Sequence, residues 1–452
     1  MHMKIRMNET PDQGSVLLVT LLTATIIGIC LASYLTVVSH QHRSTARSLA
    51  WNSCIPVLEA GIEEALTQIH YHGITNLTAN GWTVGSDGRY HKTRSIGDDG
   101  TYYQVAIEPV NPPVIISEGF VPAPFSASAQ LGMIQSPSQI AANYVSRRVQ
   151  VNTIAKGMFS QAMLAKGNIS FSGSARTDSF DSTKSSLNTN GKYDPLKTSD
   201  KGDVASNGTV ASTFVGSGTI SLNGHLSTGP GGAFDLNGTA SIGSTAWHQA
   251  GNSGVEKDWA TDDMNVDIPD VDVPFTSGDS TAVSETIDGV RYDYAFHSGN
   301  YKLSNFLLFN SQKAIITGDA VLYVTDKMSV SGSAQIIIAP GAKLKIYSGA
   351  ATASISGNGV ANQTGNAANF MYFGLPTNTR LDMSGASGGF MGVIYAPNAD
   401  LNLSGGADSD LINFTGASVS KTVNMSGGRS FHYDESLASL FQSFVVVAWN
   451  EI

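Results

Sequence analysis

Leu401-Asn402-Leu403-Ser404-Gly405 is followed by Val423-Asn424-Met425-Ser426-Gly427, a second copy of one string: apolar, any residue, apolar, Ser or Asn, Gly. Earlier copies are Ile169-Ser170-Phe171-Ser172-Gly173, Ile220-Ser221-Leu222-Asn223-Gly224 and Phe234-Asp235-Leu236-Asn237-Gly238. Met328-Ser329-Val330-Ser331-Gly332, Ala353-Ser354-Ile355-Ser356-Gly357 and Leu381-Asp382-Met383-Ser384-Gly385 complete the set. Two apolar residues with one between them point to the same side of a strand. Ser-Gly or Asn-Gly then turns the chain, because Gly accepts positive φ. One such unit cannot bury its own apolar row, but stacked copies bury a continuous core. The closing copies recur about every 20–22 residues, a length that suits one coil of a right-handed parallel β-helix. Ala314-Ile315-Ile316 and Gln335-Ile336-Ile337-Ile338 supply further walls, and the Ser and Asn positions are placed to ladder down the stack.

Composition agrees with a mainly β chain. Gly is 47 of 452 residues and charged residues are 14%, which favours short strands and tight turns over amphipathic helices. The net charge of −10 argues against a nucleic-acid partner, which needs a basic footprint. The repeats divide into a first part at 157–243 and a second at 301–430, with a cap expected at 431–452. Between the two parts, 244–300 carries Glu256, Asp258, Asp262, Asp263, Asp267, Asp270 and Asp272 together with Pro269 and Pro274. It reads as an acidic insert or linker. Clustered carboxylates are also calcium ligands, although this spacing fits no EF-hand loop. Scattered aromatics such as Phe370, Tyr372 and Phe373 form no row in register. There is no nucleophile elbow, zinc spacing or phosphate loop, so no catalytic residue, metal or cofactor is expected.

The N-terminal end is different in kind. Gly14 to Val38 is an uncharged run of roughly 24 residues, about 36 Å as a helix, enough to cross a bilayer core of about 30 Å. Its length and the exit Ala32-Ser33-Tyr34-Leu35-Thr36 suit a cleaved secretory signal poorly, and Ile29 before Cys30 suits a lipoprotein signal poorly. The segment reads as a helix that stays in the bilayer, N-terminus inside and C-terminus outside. From Arg43 the pattern turns amphipathic, with Trp51, Ile55, Leu58, Ile62, Ala65 or Leu66, and Ile69 at steps of three and four. Pro56 is expected to kink it. Cys30 and Cys54 lie about 36 Å apart on this helix and cannot pair within one chain. His70 and His72 lack a third ligand at metal spacing. Tyr102–Glu108, Val114–Ser117 and Tyr144–Thr153 read as strands, with Tyr103, Val105 and Ile107 on one face.

Gln13-Gly14-Ser15 with its apolar run, then Arg43 to Trp51, then Leu58-Glu59-Ala60-Gly61-Ile62-Glu63-Glu64-Ala65-Leu66, resembles the N-terminus of PilX-type minor pilins of type IV pilus systems. The resemblance covers about residues 13–70. It implies a leader at 1–14 cut between Gly14 and Ser15, a stem helix at 15–72 and a small pilin-like strand region at 73–156. Glu59, Ala60, Gly61, Glu63 and Glu64 would then mark the second half of the stem, and other pilin-like subunits would pack through the N-terminal helix. Ser15 stands where major pilins carry Phe, and Val19 where they carry Glu. Roughly 160–452 resembles the β-solenoid domain found behind such stems in bacterial envelope proteins. In that domain His432-Tyr433-Asp434-Glu435 precedes a short helix, here about 435–442, and with the strand bearing Trp449 would close the open end of the solenoid. His432, Asp434 and Glu435 could do acid/base or metal chemistry by residue type, but capping accounts for them.

The resulting expectation is a non-enzymatic, membrane-anchored, minor-pilin-type protein with its C-terminal domain outside the bacterial inner membrane, on a pilus or at the cell surface. Its partners would be the lipid bilayer, other pilin-like subunits and, in an adhesin reading, a surface polysaccharide. A carbohydrate-active β-helix enzyme would need a basic residue beside a carboxylate cluster. Arg291, Arg380 and Arg429 are the only arginines after Arg176.

Overall fold

A helix spans Gln13–His72 without interruption, including Pro56. The computed structural model describes residues 13–74, 77–123, 144–278, 280–384, 389–405 and 413–452. Residues 1–12 of the expected leader, most of the Ser/Ala-rich loop after Pro122 and Gly385 of one repeat lie outside the described residues. The helix is apolar and long enough to cross a membrane. Large apolar side chains from Val16 to Val37 lie more than half exposed, covered by no other element among the described residues. Past them the chain is mainly β. It divides into two units, Met1–Lys156 with Ser443–Ile452, and Gly157–Gln442.

In the first unit, the strands Thr83–Val84, Tyr90–Ser95, Tyr102–Glu108, Val114–Pro122 and Tyr144–Gly157 pair antiparallel in that order. Gln442–Glu451 joins the far side of this sheet, beside Tyr144–Gly157. Tyr103, Val105 and Ile107 face one way, as their alternation requires, and share a buried cluster with Leu58, Ile62, Ala65 and Ile69. Each Val, Leu or Ile among them contributes about 1.5–3 kcal/mol on burial. The stripe differs from the expectation at its start. Trp51 is 44% exposed, while Ala50 and Cys54 are buried. Small residues are needed there because the strand lies almost on the helix backbone: a Cβ on Gly119 would stand 2.6 Å from the Cys54 carbonyl oxygen and 2.9 Å from the Leu58 nitrogen.

The second unit is a stack of parallel strands. Gly299–Leu308 pairs with Asp319–Val330, and that strand with Lys343–Ser348 and Thr352–Ile355. Phe370–Gly374 and Arg380–Ser384 come next, then Phe390–Gly405 and Asn413–Asp434. The latter pairs with Met163–Ala165 and Ile169–Phe180, where the unit begins. The stack continues through Val204–Ser206 and Phe214–Asn223 to Leu226–Ser227, Phe234–Gly238 and Ser241–Gly243. Gly254–Val255 and Ala260–Thr261 are the last layer. The first strands of the unit therefore lie in the middle of the stack, between its two halves.

The repeat string is the register of this stack. Met328, Ala353, Leu381, Leu401, Val423 and Ile169 stand on one another through successive pairings, and each is buried. Two copies depart from the pattern. Ile220 and Leu222 align with Ala175 and Thr177 and so belong to another wall. Phe234 aligns with Phe214 in the last layer of its row and is 42% exposed, since no strand among the described residues stacks beyond it.

The stretch 244–300 is not a simple excursion. It contains the helix Thr245–Gln249, two strands of the stack, the hairpin Val283–Ile287 with Val290–Phe296, and the start of Gly299–Leu308. Among the described residues, the part without strands, 262–278 with 280–282, is the return connection from one end of the stack to the other. Its contacts progress layer by layer. Met264 donates its N–H to the Thr228 carbonyl, and Asn207 exchanges two hydrogen bonds with Val266. The Tyr395 hydroxyl donates to the Pro269 carbonyl at 2.6 Å, and Asp270 meets Asn398 at 2.7 Å and Lys166 at 3.6 Å. Phe275 lies edge-on to Tyr323, and Lys302 donates to the Thr276 carbonyl. The carboxylates of this segment alternate with Ile268 and Val271, which are buried. Among the described residues no group of three His, Cys, Asp or Glu side chains is close enough to hold a metal ion.

Candidate functional site

Two side-chain constellations stand out, one in each unit. The first is built on the stem string. Gly61 faces Ser117 so closely that a Cβ would strike its hydroxyl oxygen, and that hydroxyl donates to the Leu58 carbonyl at 2.8 Å. Glycine is thus required where helix and strand cross. Glu59 and Glu63 point to solvent. Glu64 instead turns onto the sheet, accepts the Tyr103 hydroxyl and pairs with Lys92 at 2.9 Å and Arg94 at 3.4 Å. Burial alone would push its carboxyl up, but the Tyr103 hydroxyl, Lys92 and Arg94 together hold it below the ordinary carboxylate range. Tyr103, desolvated and bonded to Glu64, is pushed up to about 12.

Ala60, Glu63, Glu64, Thr67 and Gln68 on the helix form one wall of a groove of about 620 Å³, with Arg94, Ile96 and Tyr103 opposite. Gln68 is only 8% exposed, and its amide nitrogen has no hydrogen-bond partner among the described residues. A buried polar group left unpaired in this way costs about 1–3 kcal/mol. His70 does not look for a metal: its Nε2 lies 2.9 Å from the Phe444 backbone nitrogen. Gly14 and Ser15 lie in the first turn of the helix.

The second constellation lies where the two halves of the stack meet. His432 aligns with Asp178 across the Asn413–Asp434 and Ile169–Phe180 pair. The imidazole Nδ1 bonds an Asp178 oxygen, and the Tyr193 ring stacks on the imidazole with centroids 3.6 Å apart. Asp178, fully buried, also accepts the Tyr193 hydroxyl at 2.9 Å and pairs with Arg176 at 3.0 Å. Asp434 accepts the backbone N–H groups of Ser182 and Ser436, the second as the N-cap of the short 3-10 turn Glu435–Ser439. Glu435 pairs with Lys201 at 2.7 Å and accepts the Ser179 hydroxyl. The Tyr433 hydroxyl donates to the Phe159 carbonyl at 2.6 Å.

This arrangement differs from the expected end cap in three ways. The His-Tyr-Asp-Glu string sits inside the stack, where it pins residues 178–201 to the last long strand. Trp449 takes no part in it: its strand belongs to the sheet of the first unit, where Trp449 is 44% exposed and the neighbouring Glu451 pairs with Arg147 at 2.8 Å. The expected helix at 435–442 is shortened to the 3-10 turn.

A polar ladder is present, two positions before the expected one. Asn424 donates to Asn402 at 3.0 Å, and Asn402 to Asp382 at 2.7 Å, so the residue between the two apolar ones makes the rungs. An aromatic row also exists: Tyr323, Tyr347, Phe373 and Tyr395 are successive register partners. The unequal chain distances between them hide the row in the sequence. Phe370 and Tyr372 point inward instead and are fully buried. Phe373 and Tyr395 are covered, by Phe441 in one case and by Phe159 and Pro269 in the other.

A family described as a domain of unknown function (DUF7305) matches residues 258–440, which take in the return connection and the half of the stack that follows it. No curated protein matches the chain, and no solved structure does.

Proposed function

We propose that the protein is a single-pass, non-enzymatic envelope protein of minor-pilin type, which displays a right-handed parallel β-helix outside the bacterial inner membrane. The observation that carries this reading is the division of labour along one helix. Its first part is apolar and uncovered, and its second part is packed on an antiparallel sheet through Leu58, Gly61, Ile62 and Ala65. An uncovered apolar helix of this length is stable in lipid, or against like helices, but not in water. Repeats in parallel register, with glycine over glycine, support the β-helix. The burial of His432 and Asp178 suits a structural joint better than a site that substrate must enter.

Mass determination of the mature N-terminus in the membrane fraction tests the pilin-type part. A chain beginning at Ser15 is expected, and an uncut Met1 there would overturn it. A second reading, display of the stack to a surface polysaccharide, is favoured by the outward row Ser384, Ser404, Ser426, Ser172 and Ser217, which are register partners in turn. Saccharide-array binding separates display from capture.

A further inference from the structure

We propose that Lys166 and Asn398 join in an intramolecular amide bond, with Asp270 moving the proton. The three side chains come from distant parts of the second unit. Lys166 follows the strand Met163–Ala165, and Asn398 lies in Phe390–Gly405 at the register shift after Ala396. Asp270 belongs to the return connection. The Lys166 Nζ lies 3.5 Å from the Asn398 carboxamide oxygen and 3.6 Å from Asp270 Oδ1. The same Asp270 oxygen accepts the Asn398 Nδ2 at 2.7 Å. An amine therefore stands at the carbonyl end of a carboxamide, and one carboxylate oxygen reaches both nitrogens.

These are the parts that a condensation of lysine with asparagine needs: a nucleophilic amine, an electrophilic carbonyl carbon, and a carboxyl group in reach of the proton to be moved. The neutral Lys166 amine adds to Asn398 Cγ. A bond forms between Nζ and Cγ, the bond from Cγ to Nδ2 breaks, and Asp270 carries one proton from Nζ to Nδ2, which leaves as ammonia. Nothing is oxidised or reduced, and the carboxylate is returned unchanged. The link would strap Met163–Ala165 to Phe390–Gly405 across the strand between them, Asn413–Asp434, and join residues 232 apart in the chain. A cross-link that closes a long loop restricts the unfolded chain most. Both cysteines lie on the N-terminal helix, so no disulfide can serve this unit. The assignment rests on the three side chains alone and not on the pilin-type reading.

The test is mass spectrometry of tryptic peptides from the folded full-length protein, purified in detergent and then denatured. The peptide 157–176, uncut at Lys166, is expected to be joined to 381–421, with a mass short of their sum by one ammonia. Lys166→Arg, which keeps the charge, and Asn398→Ala should each abolish the joined peptide. Asp270→Ala leaves amine and carboxamide in place and should cut the joined fraction about tenfold or more. Complete cutting after Lys166 in the wild-type chain would overturn the assignment. So would loss of ammonia confined to the 381–421 peptide, which marks a cyclic imide at Asn398, or an undiminished joined fraction in folded Asp270→Ala protein.

Discussion

Gly427→Ala should harm the Gly157–Gln442 unit far more than Gly341→Ala. Both glycines hold left-handed backbone, with φ of +89° and +83°. An L-residue in that conformation costs about 1–2 kcal/mol. The two positions differ in what a methyl group would meet. At Gly341 nothing lies within 4 Å. At Gly427 the carbonyl oxygen of Gly405, its partner on the next strand, lies well inside 3.0 Å of the new carbon. Ladder spacing is about 4.8 Å, so the strands can part only by giving up ladder bonds, at about 1 kcal/mol each. Met425 and Leu403, two residues back in the same register, would lose packing worth about 1 kcal/mol more. The sum is about 4 kcal/mol for Gly427→Ala against about 1–2 kcal/mol for Gly341→Ala. In a unit of this size that is roughly 8 °C against roughly 3 °C of melting temperature. Calorimetry of the full-length protein in detergent reads the difference. Equal shifts for the two variants would refute the claim that stacked glycines, and not φ alone, demand the residue.

Other outcomes follow from the same geometry. Asp178→Ala should cost about 3–5 kcal/mol, because it strands His432, Arg176 and Tyr193 together, and denaturant melts of the variant would read it. A loss under about 1 kcal/mol would mean that water replaces the carboxylate. Glu64 is held below its ordinary value, so its contribution to stability is complete above the unfolded-state value of about 4.3 and is lost as pH falls through the folded one. Glu64→Gln should therefore flatten the acid limb of the melting-temperature profile, and an unchanged limb would count against the network. Tyr395→Phe leaves the Pro269 carbonyl without its donor, a loss of about 1 kcal/mol, and should speed proteolytic cutting between 264 and 276. Unchanged cutting rates would show that Tyr395 does not hold the connection down.

Much of this is legible in the sequence. Apolar runs and i, i+2 pairs are local properties, so the apolar helix, the strands around Tyr103 and Val149, and the repeat units could be read from their own residues. Glu64 and Gly61 could be picked out as part of a string, but not given roles, because their partners Lys92, Tyr103 and Ser117 come from the sheet. The small residues Ala50 and Cys54 took the place expected of Trp51 and Ile55 because Gly119 brings backbone against backbone. No pattern within the helix encodes that.

A lone apolar helix leading into a chain of stacking β units is written in local patterns, since periodicity and turn chemistry act over a few residues. The folded chain set the order of stacking. It placed Ile169–Phe180 beside Asn413–Asp434, gave His432 its partner Asp178, and stretched the acidic segment along the stack to join the two ends. The physical reason is that many apolar rows of similar shape could stack on one another. Contacts between residues far apart in the chain, such as Tyr433 with Phe159 and Asp270 with Lys166, select among them.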